Sequence, residues 1–359
     1  MRRFPVVDGI PFLRVGRGAL VERTLAALDA GEADDALALL LGDRDDWATA
    51  APPSPDALRA LIGNGAATFR AALEALAFGP TATYLAHRWS DPTFVAGLGL
   101  LATHAPRPGA HTFEIACGTG PYLRELLRCG MSAAGGDVVF SKLWLARRFV
   151  APEARLVCFD AATAWPFVDG AFEFVHCHDA FYFLPRKDVV ASEMRRLTNA
   201  AGTLAISHAH NAAVDNFSAG DPLRVAAYEA LFPGAVLYDD RELADALLSI
   251  RPPQAKAARE LDAAAAIALV VDSRRVRFSD AALALPPAGA SLVRNPLYDA
   301  NARAAARIRW PSERYQQEYA ALATYASHTD APAFATMGEH ERVTAWARKR
   351  ELVALPERW

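Results

Sequence analysis

Phe113-Glu114-Ile115-Ala116-Cys117-Gly118-Thr119-Gly120-Pro121-Tyr122-Leu123 is the stretch that decides the fold of this chain. A short apolar run carrying one acidic residue ends in alternating small residues, and a helical pattern over Tyr122–Arg128 follows at once. Small residues let a backbone approach a ligand closely, and the start of a helix offers free N–H groups. A dinucleotide-binding turn would want a third glycine three positions after Gly120. Leucine stands there instead. Outward from this stretch, strand signals over His111–Ala116, Ala133–Val138, Arg155–Phe159, Phe172–Cys177 and Gly202–Ser207 alternate with helix signals over Lys142–Val150 and Val189–Leu197. Strands alternating with helices of this length predict βαβ units and a parallel sheet.

The flanks read differently. Asp8-Gly9 between apolar residues predicts a hairpin over Arg3–Leu13. A helical pattern then runs from Gly18 to Ala77, broken by Pro52-Pro53-Ser54-Pro55, where Ser54-Pro55-Asp56 reads as a helix start. Thr81–His104 carries one roughly helical repeat. In the tail, Asp221–Leu231, Arg241–Leu248 and Ser312–Tyr325 predict helices, and Ile267–Val271 and Val276–Phe278 predict strands. The expected division is 1–80, a hairpin and helical extension; 81–208, an α/β core; and 209–359, the remaining strands with a mixed α/β addition that faces substrate.

The chain has 359 residues, 52% of them hydrophobic, enough for two units or one large domain with additions. A net charge of −3 speaks against a general nucleic-acid binder. No apolar run approaches the roughly 18 residues of a membrane span, and Asp8 interrupts any secretory h-region. Cys117, Cys129, Cys158 and Cys177 form no C-x-x-C pair, so no disulfide framework or zinc knuckle is expected. The expectation is a soluble, cytoplasmic protein with no nucleic-acid or membrane partner. A homodimer stays open.

The alternating small residues Ala116, Gly118 and Gly120 close behind Glu114 resemble motif I of the class I S-adenosylmethionine-dependent methyltransferases, with Ala116 in place of the usual first glycine. Gly135-Gly136-Asp137-Val138, Cys158-Phe159-Asp160-Ala161, Pro166–Val175, Phe181–Pro185 and Glu193–Thr198 follow at the family's spacing, so the resemblance covers roughly residues 80–208. It implies a Rossmann-like sheet with S-adenosyl-L-methionine as cofactor. Gly118 and Gly120 would then approach the methionine part, Asp137 would accept the ribose hydroxyls, and Asp160 would lie near the adenine amine. Glu114, Ala116, Val138, Ala161 and His176 complete the implied cofactor set. Arg88 could pair with the cofactor carboxylate, with Tyr84 covering it. Phe4–Leu13 is similar to the last strands of a small zinc-ribbon module found ahead of some bacterial methyltransferases, but no cysteine stands near it and no zinc is expected.

Ligands of open α/β sheets bind outside the carboxyl ends of the strands. His176-Cys177-His178-Asp179 follows the fourth strand and Ser207-His208-Ala209-His210-Asn211 the fifth. His178 and His208 are therefore candidate general bases, and Tyr182 a candidate substrate contact. A metal held by the four histidines is not expected, because no carboxylate-rich set accompanies them in sequence. Tyr315 and Tyr319 read as packing, and Arg348-Lys349-Arg350 as a solvated helix face. The function expected is methyl transfer to an oxygen or nitrogen of a small-molecule acceptor. A non-catalytic cofactor-binding subunit and a protein or RNA methyltransferase are the alternatives.

Overall fold

The computed structural model describes residues 3–45, 48, 50–104, 106–216, 220–272, 283, 285–302 and 305–359. At its centre lies a seven-stranded sheet built from β3 (His111–Ile115), β4 (Ser132–Asp137), β5 (Arg155–Cys158), β6 (Phe172–His178), β7 (Thr198–His210), β8 (Val236–Asp239) and β9 (Ala266–Asp272). The spatial order is β5-β4-β3-β6-β7-β9-β8. The first five of these pair in parallel, and β9 runs antiparallel to both β7 and β8. This is the Rossmann-like sheet of the class I methyltransferases. The chain steps outward from β3 to β5 and returns on the other side of β3 as β6. The crevice between β3 and β6 is thus a topological switch point, where such sheets bind ligands.

Even-numbered residues of β6 and odd-numbered ones face opposite layers, as the pleat dictates. Phe174 and Ala205 face a layer holding α6 (Pro92–His104), α7 (Pro121–Arg128), α8 (Phe140–Leu145) and α11 (Asp240–Leu248). Val175, Cys177 and Ile206 face α9 (Lys187–Leu197) and α10 (Val225–Leu231). All residues of α6 are buried, because the helix lies between the sheet, α7 and α11. Its glycines make this packing close. A Cβ on Gly99 would fall inside contact distance of the Leu243 carbonyl, and one on Gly97 would strike the Tyr122 hydroxyl.

The N-terminal extension follows the expectation closely. Strands β1 (Val6–Val7) and β2 (Ile10–Pro11) form a hairpin turned by Asp8 and Gly9, both at positive φ. The hairpin continues onto the outer edge of β5, where the Leu13 amide donates to the Cys158 carbonyl at 2.7 Å. It covers an otherwise open strand edge. Helices α1 (Gly18–Asp29), α2 (Ala33–Leu41), α3 (Pro55–Gly63) and α4 (Phe69–Ala75) follow, with Ser54 capping α3.

Thr81–His104 is not one helix. It divides into α5 (Pro80–His87), a short turn over Arg88–Ser90, and α6. Asp91 is extended, as a residue before proline prefers, and Pro92 starts the new helix. Strand β8 was not expected. The predicted strand Val276–Phe278 lies outside the described residues. The tail continues through β10 (Ser291–Arg294), β11 (Ala306–Arg307), α12 (Glu313–Tyr319), β12 (His328–Thr329), β13 (Phe334–Thr336), α13 (Glu341–Arg348) and β14 (Leu352–Val353). Ser312 caps α12 by accepting from the Tyr315 amide, and the helix ends at Tyr319 rather than at Tyr325.

Several buried bonds fasten this tail to the core. Arg350 donates to the Trp89 carbonyl at 2.6 Å, and Arg124 to the Ala354 carbonyl at 2.8 Å. Tyr325 donates to the Ser90 carbonyl at 2.7 Å. The α6–α11 contact leaves no room for a side chain at Gly99. Gly99→Val should therefore cost about 1–3 kcal/mol through overpacking, read as a lowered denaturant midpoint. Gly63→Ala, with nothing within 4 Å of the added carbon, should leave the midpoint unchanged or raise it.

Candidate functional site

A cavity of about 730 Å³ opens at the carboxyl ends of β3, β4, β5 and β6. The loop after β3 forms its floor. Ala116, Gly118 and Gly120 all take positive φ there, at 56°, 55° and 74°. Left-handed backbone costs an alanine roughly 1–2 kcal/mol more than a glycine, so Ala116 is held there by its surroundings. Asp137 supplies part of that hold. Its carboxylate accepts the Gly118 amide at 2.9 Å and the Val139 amide at 2.8 Å, tying the loop to the end of β4. Glu114 is buried beside them with Oε2 lacking a hydrogen-bond partner in the protein, and burial pushes its carboxyl well above the ordinary range.

The structure brings most of the expected cofactor residues to this cavity. Glu114, Ala116, Gly118, Asp137, Val138, Asp160, Ala161 and Arg88 line it, whereas Gly120 and His176 do not. Two of these residues have partners the sequence did not suggest. The Asp160 carboxylate accepts the Val15 amide at 2.8 Å and lies 3.8 Å from Arg14, so the N-terminal arm forms part of the wall. Arg88 is buried and lies 3.3 Å from Asp179, committed to a protein carboxylate rather than open to a cofactor.

Asp179 is the hub of the opposite wall. Tyr84 of α5 donates to its Oδ2 at 2.8 Å, and Tyr182 donates to its Oδ1 at 3.0 Å. Thr93 donates to it at 3.3 Å, and the His208 ring lies 3.8 Å away. Burial opposes the charge, yet His208 and Arg88 outweigh it and hold Asp179 below its usual value. Behind it, Asp91 accepts from the Thr93 amide and from the Tyr315 hydroxyl of α12. Tyr319 stands one turn further along α12 and stacks on Tyr84. Tyr315 and Tyr319 thus line the cavity as well as pack, a role the sequence analysis gave only to packing. Their spacing of four residues behind a capping serine was the available signal.

The histidines separate into different states. His178 lines the cavity, stacks on Tyr122 at 4.0 Å and shares a 2.5 Å hydrogen bond with Ser207 through Nδ1. Burial drives it well below the usual imidazole range, so it is neutral. His176 lies fully buried beneath it, pushed down by burial to about 3. His208 sits on a bulge of β7 at positive φ, with its Nδ1 bonded to Asp240 of α11 at 2.7 Å. Burial would lower its pKa, but Asp179 and Asp240 raise it to about 9. His208 is therefore a cation outside the cavity lining and holds no lone pair for a proton at neutral pH. Neither expected base titrates between pH 6 and 7. Asp240 had no local sequence signal, since it approaches from another element.

Residues 113–206 match the family described as methyltransferase domain. With the strand order and the loop after β3, this gives residues 113–206 the fold of a class I methyltransferase domain. A chain from the complex of the Haloferax volcanii Trm112 methyltransferase activator with a methyltransferase superposes at 16% identity and a TM-score of 0.41, covering 54% of this chain and 93% of its own. A TehB-like SAM-dependent methyltransferase from Corynebacterium glutamicum gives 18% identity and a TM-score of 0.39, covering 55% and 100% respectively. A comparison with curated proteins found no match. No described helix is long and apolar enough to cross a membrane.

The charge on His208 makes stability depend on pH. Its folded pKa lies above the unfolded value, so its contribution is complete below about pH 6.5 and is lost as pH rises through about 9. The term is on the order of 3 kcal/mol for a group this buried. The unfolding midpoint should fall between pH 6.5 and 9, and His208→Gln should be less stable at pH 6 and lose most of that slope. An unchanged slope in the variant would show that His208 is not charged in the fold.

Proposed function

We propose that this protein transfers a methyl group from S-adenosyl-L-methionine to an oxygen or nitrogen of a small molecule. The observation that carries this reading is the wall opposite the loop after β3. Tyr84 and Tyr182 both give their protons to Asp179, so toward any further partner their oxygens can only accept. A group with its own N–H or O–H fits such oxygens, and a hydrocarbon does not. The cavity is also closed over by α5 and α12, whose Tyr84, Tyr315 and Tyr319 give it an aromatic, enclosed shape suited to a small acceptor.

The residues present fit the cofactor. Small residues at 116 and 118 leave room for close approach, and Asp137 offers acceptor oxygens where ribose hydroxyls would lie. When bound, the cofactor supplies an already activated methyl group. The protein's share is then mostly positioning, which can lower a barrier by several kcal/mol. Tyr84 and Tyr182 orient the acceptor, and Asp179 fixes both phenols. Arg88 and His208 keep Asp179 ionised. The general-base role expected of His178 or His208 falls to neither in this scheme.

Binding of S-adenosylhomocysteine by calorimetry tests the cofactor half. Asp137→Ala should lose about 1.5–3 kcal/mol, on the order of 10- to 150-fold in affinity. Equal binding by wild type and variant, or tight binding of NAD, would overturn it. The acceptor half is tested by S-adenosylhomocysteine release over a panel of phenols, alcohols and amines. Tyr182→Phe should lower kcat/KM roughly 2- to 12-fold, one hydrogen bond's worth, and leave S-adenosylhomocysteine affinity unchanged. Turnover seen only with a polypeptide or an RNA would contradict the small-molecule reading.

A further inference from the structure

We propose that Glu114, His176 and His178 form a binding site for a divalent transition-metal ion at the floor of the cavity. The sheet itself assembles the set. Glu114 of β3 is the register partner of His176 on β6, and His178 lies two residues on, on the same face. One ligand atom from each, a carboxylate oxygen and two ring nitrogens, lies within 4.8 Å of the others. All three side chains are buried.

Glu114 Oε2, both ring nitrogens of His176 and Nε2 of His178 lack any hydrogen-bond partner in the protein. Buried polar atoms without partners are rare and each costs stability, so four at one point require an explanation. A metal ion accounts for one atom from each residue at once. The neighbouring trio Asp179, His208 and His210 is equally close-set, but Asp179 and His208 are already bonded to Tyr84, Tyr182 and Asp240. In the second trio only His210 keeps ring nitrogens without a partner, whereas each residue of the first trio has at least one such atom.

His178 is also prepared as a ligand. Its Nδ1 is tied to Ser207 Oγ while Nε2 has no protein partner, and the stacked Tyr122 ring fixes its plane. Ligating histidines are held in this way by a partner on the other nitrogen. One oxygen and two imidazoles suit zinc, cobalt or iron(II) over calcium or magnesium. Bonds of about 2.0–2.2 Å would draw the three atoms closer together. Glu114 and His178 line the cavity, so the coordination positions left open face it. The inference concerns only these side chains and does not depend on methyl transfer.

The test uses the whole protein, freed of metal by a chelator and titrated with cobalt(II). Uptake is read by the visible ligand-field absorption and by elemental analysis after dialysis. Wild type should bind one cobalt per chain, displaced by zinc. His176→Phe, an apolar ring in the same space, should weaken binding by more than the roughly 10- to 100-fold that loss of a supporting residue costs. His210→Phe should bind cobalt as wild type does. Calorimetry with S-adenosylhomocysteine reports separately whether each protein is folded with its cofactor pocket intact. No cobalt uptake by wild type that binds S-adenosylhomocysteine would overturn the proposal. So would full uptake by His176→Phe, or loss of uptake in His210→Phe.

Discussion

The carboxylate of Asp179 is the point on which the site's construction depends. It stands just past β6, at positive φ, and receives hydrogen bonds from Tyr84, Tyr182 and Thr93 together with the charges of Arg88 and His208. A carboxylate this buried stays ionised only when cations and donors surround it. Each of those partners comes from a different element. Tyr84 brings α5, Thr93 brings α6, and His208 brings the bulge of β7 and, through Asp240, α11. Removing Arg88 or His208 takes away a charge that balances this carboxylate. The sheet supplies the position, and the charge network selects how the helices close over it.

The additions outside residues 113–206 are therefore parts of the site rather than appendages. The N-terminal hairpin extends the sheet edge at β5 and then places Arg14 and Val15 against Asp160. Arg14 is held in turn by Asp43, so the first helices carry the arm's position. On the other side, Tyr315 reaches Asp91, and Tyr325 reaches the carbonyl of Ser90. The irregular stretch between α5 and α6 receives Tyr315, Tyr325 and Arg350 of the tail. A break forced by Pro92 thus exposes backbone groups that the tail then satisfies.

Much of the core was legible because its strands obey local rules. Buried parallel strands read as short apolar runs, and Glu114, Gly118, Gly120 and Asp137 sit at strand ends where the pattern changes abruptly. Asp8-Gly9 and Ser54-Pro55 were legible for the same reason, since turn and cap chemistry is local. What stayed hidden was pairing between distant residues. Nothing near His208 announces Asp240, so a neutral base was expected where the fold makes a cation. Nothing near Arg88 announces Asp179. Likewise Glu114 meets His176 only through strand register, which explains why the histidines seemed to lack a carboxylate. Strand β8 escaped because four residues between two helices carry no period.

A structure of the protein bound to S-adenosylhomocysteine would test the account most directly. The account predicts the ribose hydroxyls on Asp137, the methionine portion over the loop at Ala116–Gly118, and the sulfur facing the space before Tyr84, Tyr182 and Asp179. A nucleoside seated elsewhere, or a sulfur turned away from that wall, would contradict it.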